Sequence, residues 1–489
     1  MKKHIMGFVR SILFLAILFT SLFYINTMLR PKYTPKNSSW PTSGYYQFYK
    51  MREHSVDVLF LGSSVTVNAF SPQEIYNKYG IRSYNLGSEQ QSPICSYYWL
   101  KEALRFQKPQ VVLLDTRFFL DLHPNLPLNM REPMIRKCID PMQWSSVKEE
   151  AVKDICSIDP SQSEMSYYLT NLRFHERWES ADEADADTAY YSSSELKGHS
   201  ALPKYGEKEY KTFQPDPNNK DAAKLQKLTL PYMERIAALC RENGITLVLL
   251  SLPGNAMNNG INNTIRGLAQ QYGLDYYNFC ETEMYRALGA ELPRENTVDH
   301  ANLWGAIRIS DYTGRLLFEK YHVAPVVDTQ YEETKAAYQR VKDNCELTHI
   351  VDPHSYFELV RKNGYSVLFA SGKNSYKQIT DAIQIELRGL GLTTDLRTIP
   401  NYGYAAVYES ASGVNEMKAV DDDVILTGSL SCHTLPYKIT GSGADHNSTI
   451  VFKEQSYKQN DNGLNLLVYD PVTDQVLDTA TITSEGLTR

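Results

Sequence analysis

Cysteine is sparse and scattered, seven in 489 residues with no C-x-x-C pair. That spacing offers neither a zinc site nor a redox couple. The odd count leaves at least one thiol unpaired, and buried free cysteine is the expectation. Lys and Arg never gather into a stripe that tracks a phosphate backbone, and the net charge is −7, so no nucleic-acid partner is expected. No ligand cluster calls for a metal, and no cofactor is expected. With 42% hydrophobic and 22% charged residues the composition is that of a globular protein. The length exceeds one ordinary core, so two domains or more are expected.

One long apolar run is present, the uncharged stretch from Ser11 to Leu29, preceded by Lys2, Lys3 and Arg10. It is about long enough to cross a bilayer as a helix. A cleaved signal peptide would end in small residues at an A-x-A-like site. Here the run ends Tyr24-Ile25-Asn26-Thr27-Met28-Leu29, so residues 1–30 are read as an uncleaved transmembrane anchor. Arg30, Lys32 and Lys36 follow it and weaken the positive-inside signal. The expectation is a single-pass cell-membrane protein with the bulk of the chain extracytoplasmic. Residues 31–50 are expected to form a tether, rich in Pro, Ser and Thr over Pro31 to Ser43, with Tyr45 to Arg52 read as a helix leading into the first strand.

Beyond the tether, short apolar runs alternate with helical spacing. Asp57 to Leu61, Arg82 to Gly87, Val111 to Asp115, Ile245 to Leu250 and Leu274 to Phe279 read as strands. Their rhythm is that of βαβ units and predicts a parallel sheet over residues 51–325. Between about 118 and 221 the pattern loosens into an expected insertion, with an acidic loop from Glu179 to Asp187. Ala222 to Asn243 reads as one long amphipathic helix and Leu303 to Tyr321 as another.

Phe60-Leu61-Gly62-Ser63-Ser64-Val65-Thr66-Val67 is the stretch on which the rest turns. A serine in this strand-to-helix turn lies at the C-terminal edge of the sheet, where open α/β folds bind ligands. It also suits helix capping. The second strand ends in Asn85-Leu86-Gly87, the third in Asp115-Thr116-Arg117, and Asp299-His300 precedes the last helix. A parallel sheet brings these distant segments to one edge. Serine needs a base to become a nucleophile, histidine supplies it near neutral pH, and a carboxylate orients the imidazole.

These blocks resemble those of SGNH (GDSL-like) hydrolases, above all the membrane-anchored surface type of Gram-positive bacteria. The similarity covers roughly Val56 to Tyr321 and implies a flavodoxin-like three-layer α/β/α domain. Gly62-Ser63-Ser64 matches the first block and implies Ser64 as nucleophile. Asn85-Leu86-Gly87 matches the second, so the Ser64 and Gly87 amides are the implied oxyanion donors. His300-Ala301-Asn302-Leu303-Trp304-Gly305-Ala306 is similar to the last block and implies His300 as base. Two positions depart from the pattern. Thr297 stands where the family has its aspartate, which leaves Asp299 to orient the histidine. Asp115-Thr116-Arg117 lacks the family's oxyanion asparagine, which leaves Thr116 or Arg117 as donor. Arg117, His175 (in the polar-aromatic cluster Arg173 to Trp178) and Asn302 are the candidate substrate-binding residues. Asp275 and Glu281 are expected to be solvated.

The composition changes after Tyr321: a polar linker is read at 326–354, with the stretch Ala324 to Asn344 expected to be helical in its later part, and residues 355–489 read as a separate α+β unit. Strands are expected at Tyr365 to Ala370, Tyr404 to Tyr408, Val424 to Thr427, Ser448 to Phe452 and Leu464 to Asp470, with a helix from Tyr376 to Leu390. Gly364 to Ser371, Ile379 to Gln384 and Asn462 to Asp470 resemble the interleukin-like EMT inducer domain, which implies binding, plausibly of carbohydrate. His433 and His446 have no partners in the sequence and are read as incidental.

The resulting expectation is a serine esterase or O-acyltransferase acting on acyl groups of a cell-envelope glycan or an acylated small molecule. Transfer would call for an integral-membrane acyl-donor partner. The rival is a surface glycan-binding protein with a degenerate hydrolase domain, motivated by Thr297.

Overall fold

The computed structural model describes residues 2–33, 38, 40–121, 131–181, 183–186, 196–206, 210–254, 257–289, 299–372, 374–397, 402–443, 448–457 and 462–489. The chain divides into two compact units, Met1–Tyr338 and Gln339–Arg489.

The first unit opens with the helix Lys2–Leu29. Its stretch Met6–Leu29 is long and apolar enough to cross a membrane by length and composition. Five parallel strands follow: β1 (Val58–Leu61), β2 (Ser83–Asn85), β3 (Val111–Asp115), β4 (Thr246–Ser251) and β5 (Asp275–Asn278), in spatial order β2-β1-β3-β4-β5. Alternation along β3 shows why the sheet needs cover on both faces. Val112 and Leu114 join one core with Leu59, Leu61, Leu247 and Leu249, while Val111 and Leu113 join the other with Val58, Phe60, Val248 and Leu250. The helices Pro93–Ala103, Thr229–Glu242 and Asn259–Tyr272 contribute to the first core, and Ser64–Ala69, Pro72–Tyr79 and Leu303–Glu319 to the second.

Part of the region expected to be a loose insertion joins the core. Glu132–Ile139 and Ser146–Ile158 are helices, and Ile135, Cys138, Val152 and Ile155 pack in the first cluster. Within the acidic stretch, Asp185 is buried and paired with Arg177 at 2.8 Å. The helix expected from Ala222 begins only at Thr229. Ahead of it, the Ala223 and Gln226 amides donate to Gly260 O and Phe119 O, tertiary acceptors that outcompete a helical ladder. The segment expected as a linker holds the helices Thr329–Glu332 and Lys335–Leu347. Its first part docks on the first unit, where Tyr331 is buried and donates to Ser83 O at 2.8 Å.

The second unit is α+β. A six-stranded antiparallel sheet runs in the order β15-β14-β13-β6-β7-β8, and a four-stranded one in the order β12-β11-β10-β9. The strands are β6 (Ser366–Ser371), β7 (Tyr402–Glu409), β8 (Gly413–Val420), β9 (Val424–Leu430), β10 (Leu435–Gly441), β11 (Thr449–Phe452), β12 (Gln455–Tyr457), β13 (Leu464–Asp470), β14 (Gln475–Thr483) and β15 (Gly486–Thr488). Val367 and Phe369 face the helices Pro353–Asn363 and Asp381–Gly389, whereas Leu368 and Ala370 face the second sheet. The helix expected from Tyr376 to Leu390 is interrupted, because Thr380 caps a new helix by accepting from the Ile383 N–H. All seven cysteines are free.

Candidate active site

β1 ends at Leu61, and Gly62 turns the chain into the helix Ser64–Ala69. Gly62 has φ +151°, and a Cβ there would overlap both the Asp115 side chain and Thr66 Oγ1. Glycine is therefore needed for conformation and for space. Asp115, the last residue of β3, fastens the turn. Its Oδ2 accepts from the Ser63 hydroxyl at 2.7 Å and from the Ser63 N–H at 3.2 Å, and its Oδ1 accepts from the Arg117 N–H at 3.0 Å. Burial raises the Asp115 pKa, and these donors hold it back.

The two adjacent serines thus part company. Ser63 is turned to Asp115, and Ser64 to His300. Ser64 Oγ lies 2.9 Å from His300 Nε2, although 236 positions separate them in sequence. His300 is 7% exposed. Its Nδ1 lies 3.2 Å from Asp299 Oδ1, on a side chain that is 70% exposed. Burial lowers the His300 pKa, the Asp299 carboxylate raises it, and the Arg117 charge lowers it. The loop is held close to the sheet by Gly254, just after β4, where φ is +106° and a Cβ would overlap the Asp299 carbonyl.

Of the remaining sequence-predicted residues, some are committed elsewhere. The Thr116 hydroxyl lies 3.0 Å from Leu250 O, to which it donates, and 3.0 Å from the Ser251 hydroxyl, so it is turned along β4 rather than toward an oxyanion. The Gly87 N–H donates to Asn85 Oδ1 at 3.0 Å. Asn85 itself is fixed by its Nδ2, which donates to Thr66 O and Phe70 O. The Ser64 N–H, at the open end of its helix, has no acceptor among the described residues. Arg117 Nη1 is buried and has no hydrogen-bond acceptor there. Asn302 is a cap: Oδ1 accepts from the Gly305 N–H and Nδ2 donates to Lys204 O, both at 3.0 Å. His175 is not brought to the serine. It lies in the exposed turn His175–Glu179, which packs beside the helix Lys2–Leu29. Asp275 is paired with Lys320 at 2.9 Å and Glu281 with Arg266 at 3.0 Å, both at the surface. Thr297 and His446 lie outside the described residues.

Two residues at the site, and the role of a third, were not anticipated. The Trp40 ring centroid is 5.1 Å from that of His300, and its Nε1 donates to Asn68 Oδ1 at 2.8 Å. His199 is buried, which pulls its pKa down to about 4. It is therefore neutral, and Nδ1–H donates to Val67 O at 3.1 Å, bracing the serine helix. Asp115 is the third. The sequence signal for Trp40 was a tryptophan within the Pro-, Ser- and Thr-rich stretch Pro31 to Ser43, and His199 carried none.

Chemically, the arrangement sets a proton acceptor, His300 Nε2, against Ser64 Oγ, with the Arg117 charge near enough to act on the imidazole. Among the described residues no group of His, Cys, Asp and Glu is assembled to hold a metal ion. No protein-family model matches this chain, and no curated protein matches it.

Proposed function

We propose that this chain is a membrane-anchored, extracytoplasmic serine esterase or O-acyltransferase of the SGNH kind, acting on acyl groups of cell-envelope glycans. The observation that carries the reading is the 2.9 Å contact between Ser64 Oγ and the nearly buried His300 Nε2. The strand order β2-β1-β3-β4-β5 supports it, being that of flavodoxin-like doubly wound sheets, which bind ligands at the strands' C-terminal edge.

In this reading His300 Nε2 takes the Ser64 proton as Oγ attacks the acyl carbonyl carbon. The developing oxyanion is met by the Ser64 N–H and by the Arg117 guanidinium, with Gly87 available once its bond to Asn85 is shared or exchanged. Asp299 holds the imidazolium at Nδ1. His300 then returns the proton to the departing alcohol, leaving an acyl-Ser64. Water resolves it in hydrolysis, and a sugar hydroxyl in transfer. Trp40 favours an acyl donor delivered at the membrane. From Leu29 to Trp40 the chain reaches at most about 40 Å, at roughly 3.5 Å per residue, so His300 works close to the outer bilayer face.

Labelling of the full chain with a fluorophosphonate tests this before any substrate is known, since the probe needs an activated serine. Wild type should label, and Ser64→Ala and His300→Ala should not. Folded wild type that stays unlabelled would sink the enzymatic reading.

A second reading, a glycan-binding protein with a degenerate hydrolase domain, is favoured by the exposure of Asp299 and the commitment of the Gly87 N–H. The second unit, by its resemblance to the interleukin-like EMT inducer domain, would then hold the carbohydrate. Retention on a glycan array by unlabelled full chain supports it, and no retention removes it.

A further inference from the structure

Exposed large apolar side chains on the first unit concentrate beside the membrane-span candidate. Met165 is 55% exposed, Leu169 45%, Leu172 52% and Trp178 70%. They lie on the helices Glu164–Tyr168 and Asn171–Phe174 and the flanking turns. Isolated exposed apolar residues need no explanation, but a cluster with a tryptophan at its edge does.

The cluster is tied to the last turn of the helix Lys2–Leu29. Asn26 Oδ1 accepts from the Thr170 hydroxyl at 2.7 Å and from the Asn171 N–H at 2.9 Å, and Arg177 Nη1 donates to Leu29 O at 2.8 Å. The position of Asn26 along the bilayer normal therefore sets that of the cluster. Arg10 is the last charge before the apolar run. From Arg10 to Asn26 the helix rises about 24 Å at ~1.5 Å per residue, whereas the hydrocarbon core is about 30 Å thick. With the span Met6–Leu29 centred in the bilayer and Arg10 snorkelling to the inner face, Asn26 lies about 13 Å from the midplane at ~1.5 Å per residue, within about 2 Å of the edge of the hydrocarbon core, so Asn26 and the groups hydrogen-bonded to it fall at the outer boundary between acyl chains and headgroups. Tryptophan and long aliphatic side chains are the residues that this boundary favours.

We propose that this surface, Met165 to Trp178, lies in the outer bilayer interface as a second, monotopic contact with lipid beside the spanning helix. The contact orients the first unit on the membrane, so that the domain does not swing on a free tether. The inference rests on the reading of Met6–Leu29 as a bilayer span.

The full chain, reconstituted in phosphatidylcholine vesicles brominated either near the headgroup or deep in the acyl chains, provides the test. The Trp178 signal is the fluorescence of wild type minus that of Trp178→Phe. Phe14→Trp reports on the span itself. Bromine near the headgroup is expected to quench the Trp178 signal by more than half, with little effect from deep bromine, while Phe14→Trp responds to deep bromine. Leu172→Trp in the Trp178→Phe background should repeat the shallow pattern at a second point of the surface. Deep quenching of Phe14→Trp with neither Trp178 nor Leu172→Trp affected overturns the inference, leaves the anchor standing and assigns the surface to a protein partner. If Phe14→Trp is not quenched either, the span is absent and the inference falls with it.

Discussion

In the proposed mechanism His300 serves as a base only in its neutral form, and two opposed charges set where that form is lost. Burial lowers its pKa, the Asp299 carboxylate raises it, and the Arg117 guanidinium lowers it. The net is downward, so hydrolysis of an activated aryl ester should persist below the ordinary imidazole range. The acid limb of kcat/KM for the free enzyme should fall at a correspondingly low pH. The two neighbours then predict opposite displacements. Asp299→Asn should move the limb further down and Arg117→Gln should move it up. A common direction for both variants would refute this electrostatic account. Asp299 is largely exposed, and solvent screens its charge. Its loss should cost about tenfold in rate, far less than the roughly 10⁴-fold seen when a buried triad aspartate is replaced. At this scale, Ser64, His300 and Asp299 were legible because nucleophile and base are chemical types at motif spacing. Thr116 was not, since a sequence does not say that its hydroxyl turns to Leu250 O while the neighbouring guanidinium keeps an unpaired Nη1.

Two turns bring Ser64 and His300 together, and each depends on one glycine. At Gly62 a methyl group would strike Asp115 and Thr66, and at Gly254 it would strike the Asp299 carbonyl. Gly62→Ala should displace the Ser63-Ser64 turn and abolish fluorophosphonate labelling, with a loss of stability of about 2 kcal/mol or more in thermal unfolding. Gly254→Ala should move the His300 loop instead, slowing labelling at least tenfold with less effect on Tm, because the displaced loop lies outside the sheet. Equal labelling by wild type and Gly254→Ala would mean that the loop adjusts without consequence. The central strands β1, β3 and β4 were legible because a strand covered on both faces is a continuous apolar run, and the edge strands β2 and β5 through the βαβ rhythm around them. Strands β8, β10 and β14 were not. β8 is exposed along much of its length and carries Glu416 and Lys418, so it presents no apolar run, while β10 alternates Leu435, Tyr437 and Ile439 with Pro436, Lys438 and Thr440 but its proline argues against a strand inside a sheet. Their pairing is decided by partners distant in sequence. The start of the helix at Thr229 was equally hidden, because the amides before it are claimed by Phe119 and Gly260.

Two cooperative units rather than one follow from how the segment between them is held. In sequence 326–354 is simply polar. Its polar residues are in fact divided, with Asp328 paired to Arg52 at 2.6 Å in the first unit and Arg340 fastened to Asp470 in the second. No local pattern could have shown this, since Arg340 and Asp470 are 130 positions apart. The Asp470 side chain is fully buried, and its carboxylate accepts from Arg340 Nε at 2.9 Å, Asn344 Nδ2 at 3.0 Å and the Thr473 hydroxyl at 2.8 Å. Burial alone would raise its pKa, and the Arg340 bond with these other donors lowers it. A depressed carboxylate pKa stabilises the fold above the unfolded value of about 3.9, and the contribution is lost as pH falls toward the folded value. Arg340→Ala leaves that buried charge without its cation, at a cost of about 3–5 kcal/mol near neutral pH. The deficit should shrink as the solution is acidified through the carboxylate range. Hydrogen exchange on the full chain locates the damage. Amides of β6 and β13 should lose protection in Arg340→Ala, while those of β1 and β3 keep theirs, because the stabilisation belongs to the second unit alone. Equal loss in β1 and β3 would mean that the chain unfolds as one body, and the division at Tyr338 and Gln339 would have no thermodynamic meaning.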